Sequence, residues 1–292
     1  MIPASFEYLR PGSLAEAISM LTAQGEEAKI LSGGQSLIPM MRFRLSRPGC
    51  LIDINGIPNL DYIKDENGYL KIGGLTREAE LESSSLIRTK FPILHDTSFV
   101  IADVQVRNRA TVGGNLAHGD PANDHPATML ALDAEIVATG PRGERIIPIQ
   151  DFFVSLFTTA LQHDEILTEI RVPMRAGPSG GAYLKIERKV GDYATAGVAA
   201  QVVLNGQTVQ HVGIGMTNVG PIPIKATAAE DFLKGKPLTE ETISGAAQRA
   251  SEQAQPSTDL RGPAEYKKAL VNELTKRALR RAFERAQRQE SV

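Results

Sequence analysis

The sequence predicts an α+β protein built in two domains, and three observations carry that reading. Its 292 residues are about twice the usual domain length. Apolar spacing in the first half switches between a helical period and strict alternation. A break at 173–181 holds two prolines and three glycines, and alternating segments followed by helix lie beyond it.

The elements follow in order. Ser13 with Glu16 three residues on is a capping box. It opens a helix with Leu14, Ala17, Ile18 and Leu21 on one face, ended by Gly25. A strand is expected at 28–31, and a second at 51–54 after the Arg47-Pro48-Gly49 turn. Asn67-Gly68 between two alternating segments is a hairpin signal. Thr76 is expected to cap a helix through Leu81, and 127–132 to form another. The segments 134–138 and 145–149 flank Gly140-Pro141-Arg142-Gly143 as a further hairpin. Past the break, strands are expected around 182–189, 196–204 and 207–216, with Asn205-Gly206 as a tight turn. The rest is helical: in 266–288 the apolar Tyr266, Leu270, Leu274 and Ala278 recur every four residues. Eight basic residues lie between Lys267 and Arg288, against Glu273 and Glu284, which makes either a solvated face or a partner-facing one.

Composition excludes several classes. With 42 % hydrophobic and 23 % charged residues, the chain has an ordinary globular balance and is neither disordered nor fibrous. Thirty-two basic against 34 acidic residues leave a net charge of −2, without a general pull on nucleic acid or anionic membrane. Nine Phe, six Tyr and no Trp make a poor platform for stacking bases. The longest apolar stretch, 152–161, is broken by Ser155, Thr158 and Thr159 and is too short to span a bilayer. Glu7 and Arg10 stand where a secretory signal needs an apolar run, so the expected location is cytoplasmic. The single cysteine, Cys50, can form neither an internal disulfide nor the four thiolates of an iron–sulfur cluster. Redox chemistry on this chain needs an organic cofactor, or a metal held by His and carboxylates.

Two Gly-Gly loops are the candidate site. The first, Ile30-Leu31-Ser32-Gly33-Gly34-Gln35-Ser36-Leu37, directly follows a strand, and the second is Thr111-Val112-Gly113-Gly114-Asn115-Leu116. Adjacent glycines let successive N–H groups turn toward one point and let an anion approach the main chain. Two such loops could hold a diphosphate from both sides; the other reading of each is a tight structural turn. No G-x-x-x-x-G-K-S/T is present, and Gly213-Ile214-Gly215 lacks the last glycine of G-x-G-x-x-G, where Asn218 stands. His118-Gly119-Asp120-Pro121-Ala122-Asn123-Asp124-His125 holds two His and two Asp. Their spacing does not match the helical pair of a metal site. A carboxylate just beyond a diphosphate loop suits the sugar hydroxyls of the same ligand. His95, His163 and His211 are isolated, and no nucleophile–base pair emerges from spacing.

These loops and their flanks carry a family likeness. Ala28-Lys29-Ile30-Leu31-Ser32-Gly33-Gly34-Gln35-Ser36-Leu37-Ile38-Pro39-Met40-Met41 resembles the first flavin loop of the FAD-binding medium subunits of molybdenum hydroxylases, among them carbon monoxide dehydrogenase and bacterial xanthine dehydrogenase-type enzymes. Ala110-Thr111-Val112-Gly113-Gly114-Asn115-Leu116-Ala117, then Asp120-Pro121-Ala122 and Asp124, resembles their second. The likeness continues through Gly191-Asp192-Tyr193-Ala194 to Ala264-Glu265-Tyr266 and covers essentially the whole chain.

The resemblance implies the two-lobed FAD-binding α+β fold of the vanillyl-alcohol oxidase/MurB type. The FAD-binding domain would be 1–176, with lobes of about 1–57 and 58–176, and a smaller C-terminal α+β domain of three-stranded sheet and helices would occupy 177–288. Lys29, Ile30, Leu31, Ser32, Gly33, Gly34, Gln35, Ser36 and Leu37 would form the first FAD-binding segment, and Thr111, Val112, Gly114 and Asn115 the second. Ile101 would line the pocket, Asp124 would bond ribityl or flavin polar atoms, Leu167 and Lys185 would lie near the isoalloxazine, and Tyr193 would pack on or beside it. The flavin would be non-covalent, and no side chain need be a general acid or base. Gln35 stands where some relatives have His. The function implied is that of an oxidoreductase subunit. It would accept electrons from two-iron two-sulfur clusters of a small partner and pass them to an external acceptor, while a large molybdopterin subunit oxidises the substrate in a heterotrimer. A stand-alone FAD oxidase or dehydrogenase is the alternative, and a phosphate-binding scaffold a third class. Substrate and acceptor are not legible in this chain.

Overall fold

The computed structural model describes residues 2–290; Met1, the first residue of the expected FAD-binding domain, lies outside them. Three larger sheets and one two-stranded hairpin organise the described residues. The first is parallel, with β1 (Glu7–Leu9), β2 (Ala28–Leu31) and β3 (Cys50–Asp53) in the order β1-β3-β2. The helix Leu14–Gln24 covers it through Ala17, Ile18 and Leu21. Its start uses the expected residues in a shifted way. Ser13 accepts from the Glu16 N–H at 3.2 Å, but the Glu16 carboxylate reaches back to the N–H of Gly12 rather than to that of Ser13.

The second sheet is antiparallel, with β4 (Ile63–Glu66), β5 (Tyr69–Gly73), β6 (Glu135–Gly140) and β7 (Gly143–Pro148). Asn67 and Gly68 turn its first hairpin with φ of 56° and 79°, the positive pair that a two-residue turn requires. After a small hairpin, β8 (Phe153–Ser155) and β9 (Thr158–Thr159), the chain returns as β10 (Ile166–Pro173) into the middle, giving the order β4-β5-β10-β6-β7. The sequence reading did not foresee β10. It also missed the short helices Ser85–Lys90, Pro92–Phe99 and Val104–Arg107. Thr76 does not cap a helix: its hydroxyl accepts from Tyr62 N–H and donates to Tyr62 C=O, and Glu78–Ser83 starts after Arg77.

The third sheet is the antiparallel meander β11 (Ser179–Ile186), β12 (Ala196–Asn205), β13 (Thr208–Thr217) and β14 (Ile224–Lys225). One face receives the helices Thr227–Leu233, Glu240–Gln253 and Ala264–Glu290. The other meets the second lobe, and Tyr183 and Ala199 join that lobe's core. Gly213 and Gly215 explain themselves here: a Cβ at either would overlap the main chain of Ala131 or Ala127. These two glycines let the helix Asp124–Ala131 lie flat on β13, so their G-x-G spacing serves packing and not a nucleotide.

In the last helix a strict four-residue repeat drifts off the 3.6-residue period. Tyr266 is accordingly half exposed, while Val271, Leu274, Ala278, Leu279, Ala282 and Ala286 form the buried stripe. Its basic residues are largely committed within the chain. Lys267 is buried and bonds Asp259 at 2.7 Å, Arg280 pairs with Glu240, and Arg281 and Arg285 converge on Asp96 of the second lobe.

Candidate functional site

The first Gly-Gly loop leaves the first sheet, the second joins the helices Val104–Arg107 and Val112–Ala117, and the two meet edge to edge. The first follows β2 and ends in the helix Leu37–Arg42. The second is the start of the helix Val112–Ala117, where the Thr111 hydroxyl caps by accepting from the Gly114 N–H at 3.1 Å. Hydroxyls of Ser32 and Thr111 meet across the seam at 3.1 Å. Gly33 permits the approach: a Cβ there would sit 2.5 Å from the Arg109 carbonyl oxygen and 3.0 Å from the Thr111 nitrogen. At Gly114 a Cβ would lie 2.6 Å from the Thr111 hydroxyl and 2.7 Å from that of Ser32.

The seam floors a cleft of about 830 Å³ shared by both lobes and the C-terminal domain, a size suited to a large organic ligand. Lys29, Ile30, Leu31, Ser32, Gly33, Gly34, Gln35, Ser36, Leu37, Ile101, Thr111, Gly114, Asn115, Asp124 and Tyr193 all line it. Among the described residues, the N–H groups from Gly33 to Ser36 meet no intramolecular acceptor, and the buried Oδ1 of Asn115 has no partner. Free main-chain donors at a glycine turn are what a phosphate needs. An unsatisfied buried amide oxygen beside them calls for a donor from a ligand. Both observations fit FAD.

Asp124 heads the helix Asp124–Ala131 and is almost fully buried at the cleft wall. Tyr183 donates its hydroxyl proton to Oδ1 at 2.6 Å, and Lys185 donates to Oδ2 at 3.0 Å. Burial pushes the Asp124 carboxyl above the usual carboxylate range, and the Lys185 ammonium and the Tyr183 proton oppose that rise. The same desolvation, with Asp124 beside it, pushes the Tyr183 phenol well up.

Three of the expected residues do not line the cleft. Val112 is fully buried in the second-lobe core, because the helix it opens turns that side chain inward. Leu167 sits in β10 at the sheet centre and belongs to the same core. Lys185 lies behind Asp124, its ammonium taken up by Asp124, the Asp192 carbonyl at 3.0 Å and Glu187 at 3.2 Å. It acts on the cleft through Asp124 and does not line its wall.

The cleft also has walls that the sequence reading did not assign. Phe157, Thr158 and Thr159 of the small hairpin, then Leu161, Gln162 and His163, form one side. Phe157 holds a φ of 57°, and its ring lies 5.1 Å from that of His118. Burial lowers the His118 pKa, with Asp120 working against it. His125, by contrast, is fully buried and bonds Glu78 at 2.7 Å, so the two histidines of the His/Asp segment point into different environments. Among the described residues no three His, Cys, Asp or Glu side chains converge as a metal site.

The turn Gly191-Asp192-Tyr193 of the C-terminal domain approaches Ala102 of the second lobe and lines the cleft together with Ile101 and Ala102. Arg261 fixes it by donating to the Tyr193 carbonyl at 2.9 Å and to Asp192 at 3.3 Å. The bond from Arg261 to the Asp192 carboxylate outweighs burial, which works in the opposite direction, and holds that carboxyl down at about 2.

Comparison with known proteins gives a consistent picture. Residues 4–175 match the family described as FAD binding domain in molybdopterin dehydrogenase, and 181–282 match the CO dehydrogenase flavoprotein C-terminal domain. The carbon monoxide dehydrogenase medium chain of Hydrogenophaga pseudoflava is 45 % identical over 98 % of this chain and 99 % of its own. The 6-hydroxypseudooxynicotine dehydrogenase complex subunit alpha of Paenarthrobacter nicotinovorans is 38 % identical over 98 % and 97 %. The solved carbon monoxide dehydrogenase of H. pseudoflava superposes with a TM-score of 0.95 at 46 % identity, over 98 % of this chain and 99 % of that one.

Proposed function

The chain belongs to the FAD-binding medium subunits of molybdopterin dehydrogenases, an oxidoreductase family, and on that premise we propose that it is the electron-transfer flavoprotein of a molybdenum hydroxylase complex. A large molybdopterin subunit oxidises the organic substrate, a small iron–sulfur subunit delivers the electrons here, and an external acceptor removes them. Bound FAD would supply the two-electron store between clusters and acceptor.

The observation that carries this reading is the cleft itself, where the first loop leaves its main-chain donors from Gly33 to Ser36 free and the second loop brings Thr111, Gly114 and Asn115 to the same wall. This chain's residues bind and orient: first-loop N–H groups hold the diphosphate, and the Asn115 amide oxygen and Asp124 present acceptors toward sugar or ring donors. Ile101 lines the pocket and Tyr193 flanks the ring, while Lys185 holds Asp124 in place. The lone Cys50 is buried in the first sheet, so clusters belong on another chain. Next to the mouth stand apolar side chains left to water: Val190, beside Gly191, is 94 % exposed, and Leu260, beside Arg261, is 98 % exposed. Exposed apolar surface rimmed by polar residues suits a partner subunit.

The named relatives act on different compounds, carbon monoxide and 6-hydroxypseudooxynicotine. That difference supports a substrate set by the large subunit. Among the described residues no helix is long and apolar enough to cross a membrane, and the proposed location is cytoplasmic.

The test is electron flow through the purified complex. With the clusters prereduced by a limiting chemical reductant, stopped-flow mixing with an acceptor should reoxidise them in the FAD-loaded complex and not in the FAD-stripped one. Equal reoxidation with and without FAD overturns the proposal.

A further inference from the structure

The two loops belong to different lobes, and a hydrogen-bonded clasp outside the cleft joins their main chains. Asn55, just past β3, donates through Nδ2 to the Ser32 carbonyl at 2.7 Å and to Asp53 Oδ1 at 2.6 Å. Its Oδ1 accepts from Arg77 Nη2 at 2.7 Å, across 22 residues of sequence and from the other lobe. Arg77 Nη1 in turn donates to the carbonyl of Arg109 at 2.5 Å, two residues before Thr111. The main chain on either side of Arg77 is tied to the second loop as well, since Val112 N–H donates to the Thr76 carbonyl at 3.0 Å and Glu78 N–H to that of Ala110 at 3.1 Å. The path Ser32–Asn55–Arg77–Arg109 thus spans the seam where Gly33 touches Arg109, and neither Asn55 nor Arg77 lines the cleft.

We propose that Asn55 and Arg77 are positioning residues that set the separation of the two Gly-Gly loops, and so set how tightly the chain holds the diphosphate of FAD. This rests on the reading that both loops receive that diphosphate. The physical reason is preorganisation. Donors already held at the right spacing bind without first paying out ordering entropy or strain, so loosening the spacing weakens binding without removing any contact. Arg77 suits the task because its planar fork serves two acceptors at once in fixed geometry, which lysine cannot do.

The experiment compares the full chain with Arg77→Met, Asn55→Ala and Arg77→Lys. FAD, ADP and riboflavin are titrated by fluorescence or calorimetry, and thermal unfolding is followed without ligand. Expected are losses of about 10- to 100-fold in FAD and ADP affinity for Arg77→Met, the scale of one or two hydrogen bonds to a charged group. Asn55→Ala should lose less, Arg77→Lys should restore part of the loss, and riboflavin, which has no diphosphate, should bind all four proteins alike. FAD and ADP affinities within twofold of wild type in folded Arg77→Met or Asn55→Ala overturn the clasp. So does an equal loss for riboflavin, which signals general damage. If Arg77→Met does not fold, Arg77→Lys and Asn55→Ala decide alone. Failure of the underlying reading has its own signature: wild-type chain that binds riboflavin and FAD equally and ADP not at all.

Discussion

Substituting Gly33 by alanine tests the loop seam more directly than any other single change. The added Cβ would lie 2.5 Å from the Arg109 carbonyl oxygen, 2.8 Å from the Ala110 Cα and 3.0 Å from the Thr111 nitrogen. All three are main-chain atoms of a segment held by Arg77, Thr76 and Glu78, so no side chain can rotate away. The loops must separate by roughly 1 Å, which takes a donor at 2.9 Å out of bonding range. The physical cause thus differs from the simple expectation that a side chain pushes the phosphate aside: the obstruction lies between the loops, behind the ligand. If one loop's pair of N–H donors is lost to a charged acceptor, at about 1.5–3 kcal/mol each, FAD binding weakens by about 3–6 kcal/mol, or roughly two to four decades in Kd. Folding should survive, because Gly33 belongs to none of the three cores. The assay is FAD titration of the Gly33→Ala chain by fluorescence quenching, alongside its unfolding curve without FAD. A soluble Gly33→Ala protein that purifies yellow with stoichiometric FAD would refute the reasoning.

Two further outcomes follow from the same structure. Tyr193 is half exposed over the cleft, and its main chain is held by Arg261; Tyr193→Ala should therefore shift flavin potential or reactivity while leaving most FAD bound, and an unchanged spectrum, potential and turnover would count against any ring contact. Glu230, which accepts from the Ile214 N–H at 2.7 Å, has its carboxyl pushed up to about 7 by burial, with Lys225 opposing. The folded state therefore holds a proton that the unfolded state has already released, so stability should fall as pH rises from about 4.5 to about 7, by up to about 3 kcal/mol. Glu230→Gln should flatten that fall and raise Tm at pH 8, and parallel Tm–pH curves for the two proteins would exclude Glu230 as the cause.

What could be read in the sequence was what local chemistry alone decides. Asn67-Gly68 makes a two-residue turn wherever it stands between strands, and Ser13 caps a helix by a bond three residues away. The Gly-Gly loops were visible for the same reason, since adjacent glycines among hydroxyl residues are unusual in any other role. The central strand β10 was not, because it is paired on both sides and buries Thr168 and Glu169, whose carboxylate is taken up by the Tyr62 hydroxyl and Arg171. A strand with polar residues inside shows no clean alternation. Gly213 and Gly215 mimicked part of a nucleotide motif although their glycines answer to a helix more than eighty residues earlier. The stretch 152–161 shows how much context matters. Its apolar run argued only about membranes, yet it folds into the hairpin that walls the cleft.

The site's chemistry divides along the same line. Contacts made by the main chain of a glycine loop are written in that loop, so the ligand class is legible from a dozen residues. The spacing between loops is written in neither. It depends on Gly33 of the first loop meeting Arg109 and on Asn55 reaching Arg77 from another lobe, and Asn55, Arg77 and Arg109 are single residues whose neighbours carry no pattern. Lys185 makes the same point from the C-terminal domain: it was expected near the isoalloxazine, and it stands behind Asp124, where it offsets the cost of burying that carboxylate. A charge so deeply placed needs its partner more than an exposed one does. The residues that shape this cleft from outside its wall are thus as constrained as those that line it, and only the folded chain distinguishes the two.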